Sequence, residues 1–193
     1  MKTARYEPFT AIHKALRRQL FETAIALGRT DFAAPDERAA AARAVEACNA
    51  FLREHAEHED HHVVTTVLTF APELATELDH EHVSLERAAI AVESLFPRFA
   101  ALDAESCHAL GGEVSRRFLA LVAQQIHHMA REEHEVTALL WDHLDDAALE
   151  AITGRILADI PPARMAEWGA VIAPAINRRE REGQKKGAEA KAA

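Results

Sequence analysis

HAEHE at residues 55–59 and HMARE at residues 128–132 decide how this chain is read. Each phrase sets an imidazole and a carboxylate one helical turn apart, His55 with Glu59 and His128 with Glu132. Both side chains of a phrase therefore leave the same face of a helix. Two more histidines, His13 near the start and His82 between the phrases, fall where further helices would face the same point. One imidazole from each of four helices, with two carboxylates, is the ligand set of a carboxylate–histidine dimetal site.

The sequence around these phrases is helical in period, with no alternating strand pattern. A first helix is predicted from about Pro8 to Gly28, with Phe9, His13, Leu16, Leu20 and Leu27 on one stripe. A second is expected to begin with Asp36 as its N-cap and to run on until Pro72, its stripe reading Val45, Cys48, Leu52, His55, Glu59, His62 and Thr66. The third follows Pro72 and carries Leu78, His82, Leu85, Ala89 and Val92, with Pro97 bending or ending it. Asp103 caps a long fourth helix that ends near Leu144 and aligns Phe118, Leu121, Gln125, His128, Glu132 and Leu139. Asp145 or Asp146 caps a fifth helix to about Ile160, and a short sixth segment follows Pro161 and Pro162.

Four long amphipathic helices with short connections predict an all-α fold, an antiparallel up-down-up-down four-helix bundle over residues 1–145. A C-terminal helical extension occupies 146–178. The tail 179–193 has charge, Gly and Ala but no large apolar residue and is expected to be disordered.

The composition agrees with this division. Apolar residues make up 49 % but aromatics only 6 %, with seven Gly and seven Pro, a balance that favours helices. A formal charge of −9 gives nucleic-acid binding no electrostatic support. Cys48 and Cys107 have no CxxC spacing, which argues against a disulfide framework or a thiolate zinc site. No stretch approaches a membrane span and the N-terminus lacks an export-type apolar core, so the expected location is the cytoplasm.

Alone, a His-x-x-x-Glu phrase is a common helix-surface ion pair, and one histidine on an apolar stripe is commonly a hydrogen-bonded core residue. Here His13, His55, Glu59, His82, His128 and Glu132 all fall on stripes otherwise built from Leu, Val and Phe. Two buried carboxylates without partners would cost several kcal/mol each, and two divalent cations would compensate them. Competing histidines sort by the same spacing. His82 is preferred to His80, whose line continues through Ser84 and Arg87, and His128 to His127, whose line includes Arg131 and His134. His61, His108, His134 and His143 are read as surface residues. His58 is a further ligand or a partner of one, His62 a hydrogen-bonded core residue, and Glu86 a partner of His82 or an extra ligand.

With those residues in place, the chain resembles the hemerythrin-like, or HHE cation-binding, family over roughly residues 8–145. The resemblance rests on the order His13, HAEHE (55–59), DHEHVSLE (79–86) and HHMAREEHEV (127–136). It implies two iron ions in a non-haem di-iron centre, oxo- or hydroxo-bridged and also bridged by the two glutamates. The ligand types suit zinc or manganese as well. Glu86 stands where the oxygen-carrying members place a second histidine on the third helix. Glu132 lies four residues after His128, where they place an Asp five on. The pattern is similar to the branch associated with iron sensing, peroxide or nitric-oxide handling and repair of iron centres.

The function implied is that of a bacterial di-iron protein that binds or reacts with a small oxidant, O2, peroxide or NO. The alternatives are an iron-responsive binding module without turnover, and a zinc-bound or metal-free bundle whose histidines are structural.

Overall fold

Proline and aspartate punctuate the chain. The computed structural model describes residues 5–183, and among them there is no strand. The helices are α1 (Thr10–Arg29), α2 (Pro35–Glu59), α3 (Thr65–Val67), α4 (Pro72–Glu93), α5 (Ala104–Arg131), α6 (Thr137–His143), α7 (Asp146–Asp159) and α8 (Pro162–Ile172). Proline occupies the first turn of α2, α4 and α8, where its missing N–H costs nothing. Asp103 and Asp145 cap α5 and α7, accepting from the N–H of Ser106 and Ala148 at 2.8 Å each. Asp36 is not the N-cap of α2: Ala34 takes that position, and Asp36 sits in the first turn, where its charge faces the positive end of the helix dipole.

The second and fourth predicted helices are each interrupted. A π-helical turn, Asp60–Val64, joins α2 to α3, and another, Glu132–Val136, joins α5 to α6. Each begins immediately at or after the glutamate of a His-x-x-x-Glu phrase. An α-helix completes a turn in 3.6 residues, so a step of four overshoots by about 40° and an inward stripe must alternate threes and fours. The wider π turn absorbs that drift. Inward positions therefore continue in fours, Glu59, Val63, Val67 and Glu132, Val136, Leu140, all buried. This corrects the predicted stripes, in which His62, Thr66 and Leu139 followed the glutamates. Threonine hydroxyls beside the turns donate to backbone carbonyls: Thr65 to His61 (2.8 Å), Thr66 to His62 (2.7 Å) and Thr137 to Glu132 (3.1 Å).

α1 packs on α2 and α5, and α4 packs on the same two helices. Two apolar clusters lie along them. One includes Leu16, Leu52, Leu85 and Leu121; the other includes Phe9, Val63, Leu78 and Val136. Phe9, just before α1, lies in the second cluster and Leu16 of α1 in the first; α2 lies in the first and its continuation through the π turn, Val63 and Val67, in the second. α4 runs from the second (Leu78) to the first (Leu85), and α5 from the first to Val136 and Leu140 beyond it in the second. On each helix the crossover falls at the predicted metal ligands. The extension spans the same divide, with Leu149 and Ile152 of α7 in the second cluster and Trp168 and Val171 of α8 in the first.

The extension is tied to the long helices by polar contacts as well. Tyr6 donates to Thr153 Oγ1 (2.9 Å), and Trp168 Nε1 and Arg164 donate to Glu54 (2.9 and 2.5 Å). In the predicted tail, residues 179–183 are helical and Glu180 pairs with Lys14, while 184–193 lie outside the described residues. Cys48 and Cys107 are free and buried, and burial pushes the Cys48 thiol up to about 12, which leaves it inert. No described helix is long and apolar enough to cross a membrane.

Gly111 of α5 is required by a close approach. A Cβ there would stand 2.2 Å from Phe32 Cδ2, and Phe32 is itself stacked on Phe99 with ring centroids 5.5 Å apart. Gly111→Ala is expected to destabilise the protein by about 1–3 kcal/mol despite the better helix propensity of alanine. Urea unfolding measures this, and an unchanged or raised midpoint would contradict the packing described.

Candidate metal centre

All six predicted residues meet at the crossover between the two apolar clusters. His13, Glu59, His82, His128 and Glu132 are buried, and His55 is only 9 % exposed. Each imidazole turns its Nε2 toward the two glutamates. His13 Nε2 lies 3.7 Å from Glu59 Oε1 and 3.4 Å from Glu132 Oε2, and His55 Nε2 lies 3.1 Å from Glu59 Oε1. His82 Nε2 is 3.6 Å from Glu59 Oε2 and 3.9 Å from Glu132 Oε1, and His128 Nε2 is 3.4 Å from Glu132 Oε1. Each glutamate thus presents one oxygen to the His13–His55 pair and the other to the His82–His128 pair. The result is two groups, His13, His55, Glu59, Glu132 and Glu59, His82, His128, Glu132, with donor atoms in each within 4.8 Å of one another. Such a group could hold a metal ion.

The rings are oriented from behind by carboxylates. His13 Nδ1 meets Glu133 Oε1 at 3.1 Å, His82 Nδ1 meets Asp60 Oδ1 at 2.6 Å, and His128 Nδ1 meets Glu81 Oε2 at 2.7 Å. An ionised carboxylate only accepts, so these contacts place the proton of each ring on Nδ1 and leave Nε2 as a bare lone pair. Arginines fix the carboxylates in turn: Arg17 donates to Glu133 and Arg131 to Glu81, both at 2.6 Å. The His13 hydrogen bond, with Arg17 behind it, holds the Glu133 carboxyl down to about 2. For Glu81, burial pushes upward, but the hydrogen bonds from His128 and Arg131 outweigh it and keep the carboxyl below its ordinary range.

The inward-facing atoms could hold a cation. His13 Nε2, His55 Nε2, both Glu59 oxygens and Glu132 Oε2 are buried with no hydrogen-bond partner among the described residues. His82 Nε2 and His128 Nε2 face one another at 3.0 Å. With both protons drawn to Nδ1, two lone pairs oppose each other there, which is repulsive unless a proton or a metal ion lies between them. Burial also drives the donors away from their charged forms. It lowers His13 and His55 and takes His128 down to about 4; it raises Glu59, with Glu132 adding its repulsion, and takes Glu132 up to about 8. Neutral imidazoles are what a metal needs, and a metal's charge is what keeps the two glutamates ionised.

Among the competitors, His80, His61, His108, His127, His134 and His143 are exposed. His58 is half-buried and in neither donor group. His62 is not a core residue. The π turn rotates it outward, and its Nε2 meets Asp159 Oδ2 of α7 at 2.7 Å. Glu86 is neither a ligand nor the partner of His82: it is largely exposed, 3.9 Å from Arg53 Nε, and Asp60 holds His82 instead. Asp60, Glu81 and Glu133 were missed by spacing, yet a signal was present. Each phrase glutamate is followed directly by a second acid, Glu59–Asp60 and Glu132–Glu133, and that acid serves a histidine on a neighbouring helix. No family model, curated protein or solved structure matches the chain.

Two outcomes follow, the first for the metal-free protein. A carboxyl whose folded pKa is raised binds more protons folded than unfolded, so its contribution is present at low pH and lost as pH rises. For Glu132 that loss runs from its ordinary 4.5 to about 8. His128, lowered from 6.5 to about 4, opposes this only below pH 6.5. The melting temperature of the chelated protein is therefore expected to fall between pH 6.5 and 8, and metal loading to abolish the fall. A flat profile in chelator would refute the burial of two protonatable glutamates. Separately, Asp60→Asn and Glu81→Gln are each expected to weaken metal binding by about 10–100-fold while the helical content stays unchanged. Competition titration with a chromophoric chelator measures this.

Proposed function

We propose that this chain is a hemerythrin-like, non-haem di-iron protein, an antiparallel four-helix bundle that binds or reacts with a small oxidant such as O2, peroxide or NO. The observation that carries the reading is the division of the two glutamates. Glu59 turns Oε1 toward His13 and His55 and Oε2 toward His82, and Glu132 turns its two oxygens to the same two sides. Two carboxylates that each serve two donor groups suit a pair of ions rather than one. The passage of α1, of α2 with α3, of α4 and of α5 with α6 between the two apolar clusters in alternating order supports the antiparallel bundle.

His13 and His55 would hold one ion, His82 and His128 the other, with Glu59 and Glu132 bridging. Iron bound there would supply open coordination positions and one-electron chemistry toward the oxidant. The protein's part is orientation and exclusion. Glu133, Asp60 and Glu81 keep three of the rings in the tautomer whose Nε2 is free. Phe9, stacked on His13 with ring centroids 5.1 Å apart, and the apolar clusters on either side keep bulk water from the donors. Iron is favoured over zinc and manganese by the family resemblance, since imidazole and carboxylate ligands admit all three.

The test is metal content. Protein from iron-fed cells is expected to carry about two iron ions per chain by the ligand count, and to give charge-transfer absorption that shifts with azide. Glu59→Ala and Glu132→Ala are expected to lose the metal. His61→Ala and His134→Ala, whose rings bond only to the backbone carbonyls of Glu57 and Ala130, are expected to keep it. Equal metal content across the four variants would reject the assignment.

A further inference from the structure

A cavity of about 120 Å³ opens between α2 and α4 and ends on the donor cluster, where His55, Glu59, His82 and His128 line it. It holds roughly four waters at about 30 Å³ each, well short of the several hundred Å³ that an organic substrate fills. Its walls are largely apolar, with Leu52 and Leu85 facing across it. Two neutral polar side chains line it, Asn49 and Gln125; Asn49 commits its amide N–H groups to Ala89 O (3.4 Å) and Glu93 Oε1 (2.8 Å). Gln125 stands three residues before His128 on the same face of α5, is 8 % exposed, and lines the cavity. The hydrogen bonds that orient His13, His82 and His128 come from Glu133, Asp60 and Glu81, so Gln125 does not orient those rings.

The mouth has a different character. Val83 stands there 39 % exposed, beside the exposed acids Glu57 and Glu86. Arg53, also at the mouth, is divided between Glu86 at 3.9 Å and Glu93 at 3.6 Å. The mouth thus carries more negative than positive charge, which slows an approaching anion and leaves a neutral molecule unaffected. The far side of the cluster is closed, since His13 is wholly buried.

We propose that Gln125 is a positioning residue for an exogenous ligand: the cavity admits a small uncharged molecule to the His55–His82–His128 face, and the Gln125 amide N–H donates a hydrogen bond to it. This deepens the di-iron reading and rests on it. Of the two chemical classes that could reach such a centre, the acidic mouth selects the neutral one, as in nitric oxide, dioxygen or peroxide, over anions such as azide.

The test uses the full chain loaded with iron, with nitric oxide as probe on the ferrous form and azide on the ferric form, followed by stopped-flow absorbance. Gln125→Leu is expected to keep the wild-type iron content and melting temperature while the Kd for nitric oxide rises about five-fold, the worth of one net hydrogen bond. Val83→Trp, at an exposed position that folding tolerates, is expected to slow association of both probes roughly ten-fold by narrowing the mouth. Glu57→Lys is expected to speed azide association several-fold at low salt, to lose that gain at high salt, and to leave nitric oxide unchanged. Iron-loaded variants that bind both probes with wild-type rates and affinities would overturn the role of Gln125 and the cavity while leaving the metal site standing. A wild-type chain that takes up no iron would overturn the di-iron reading and this inference with it.

Discussion

Everything in this fold is arranged around the burial of two glutamates, Glu59 and Glu132, among four imidazoles. Two carboxylates removed from water would each cost several kcal/mol if they stayed ionised and unpaired. Both have buried oxygens with no hydrogen-bond partner, so protein groups do not discharge that cost. The cluster separates the two apolar regions of the core, and each long helix, together with the π turn that continues α2 and α5, passes from one region to the other at the residues it contributes. A polar layer in that position is unfavourable for packing alone. It would become favourable with a cation as the missing partner, and metal binding and folding would then share one free energy.

The carboxylates behind the histidines extend the same logic outward. Asp60, Glu81 and Glu133 accept from Nδ1, which turns flexible imidazoles into fixed donors and leaves each Nε2 as a lone pair. Arg17 and Arg131 then anchor two of these acids at the surface. From the inside out the groups run glutamate, neutral imidazole, acid and, behind Glu133 and Glu81, arginine, so that the acids behind three of the rings accept from Nδ1 and two of those acids are neutralised at the surface. The two π turns belong to this arrangement. By keeping Val63 and Val67, and Val136 and Leu140, in line with the glutamates, they let an apolar plug sit directly beyond the donors. A regular α-helix would have rotated His62 and Leu139 into that position.

The extension does more than decorate the long helices. α7 completes one apolar cluster and α8 the other, and Arg164 and Trp168 grip Glu54, the residue before His55. His62, turned outward by the π turn, finds Asp159 on α7. The extension therefore braces α2 on both sides of the residues it gives to the cluster. The α2–α4 face is left open, with Gln125 among the residues that line its cavity.

By itself the sequence determined the helical class, the cap at Asp103, the choice of Asp145 or Asp146 for the next, and the six residues that converge. Those features depend on local propensity and on the 3.6-residue period, which any single helix carries in its own sequence. Preference for His82 over His80 and for His128 over His127 was legible for the same reason, since each competitor lies on a line with surface residues. Tertiary structure decided what depends on two helices at once. Asp60 rather than Glu86 serves His82 because α2 brings it there, while Glu86 leans toward Arg53 at the mouth of the cavity. The π turns were invisible to a reading that assumes constant period, and they moved His62, Thr66 and Leu139 off the inward stripe. How each glutamate divides its two oxygens between two pairs of histidines is a property of four helices packed together, and no stretch of sequence contains it.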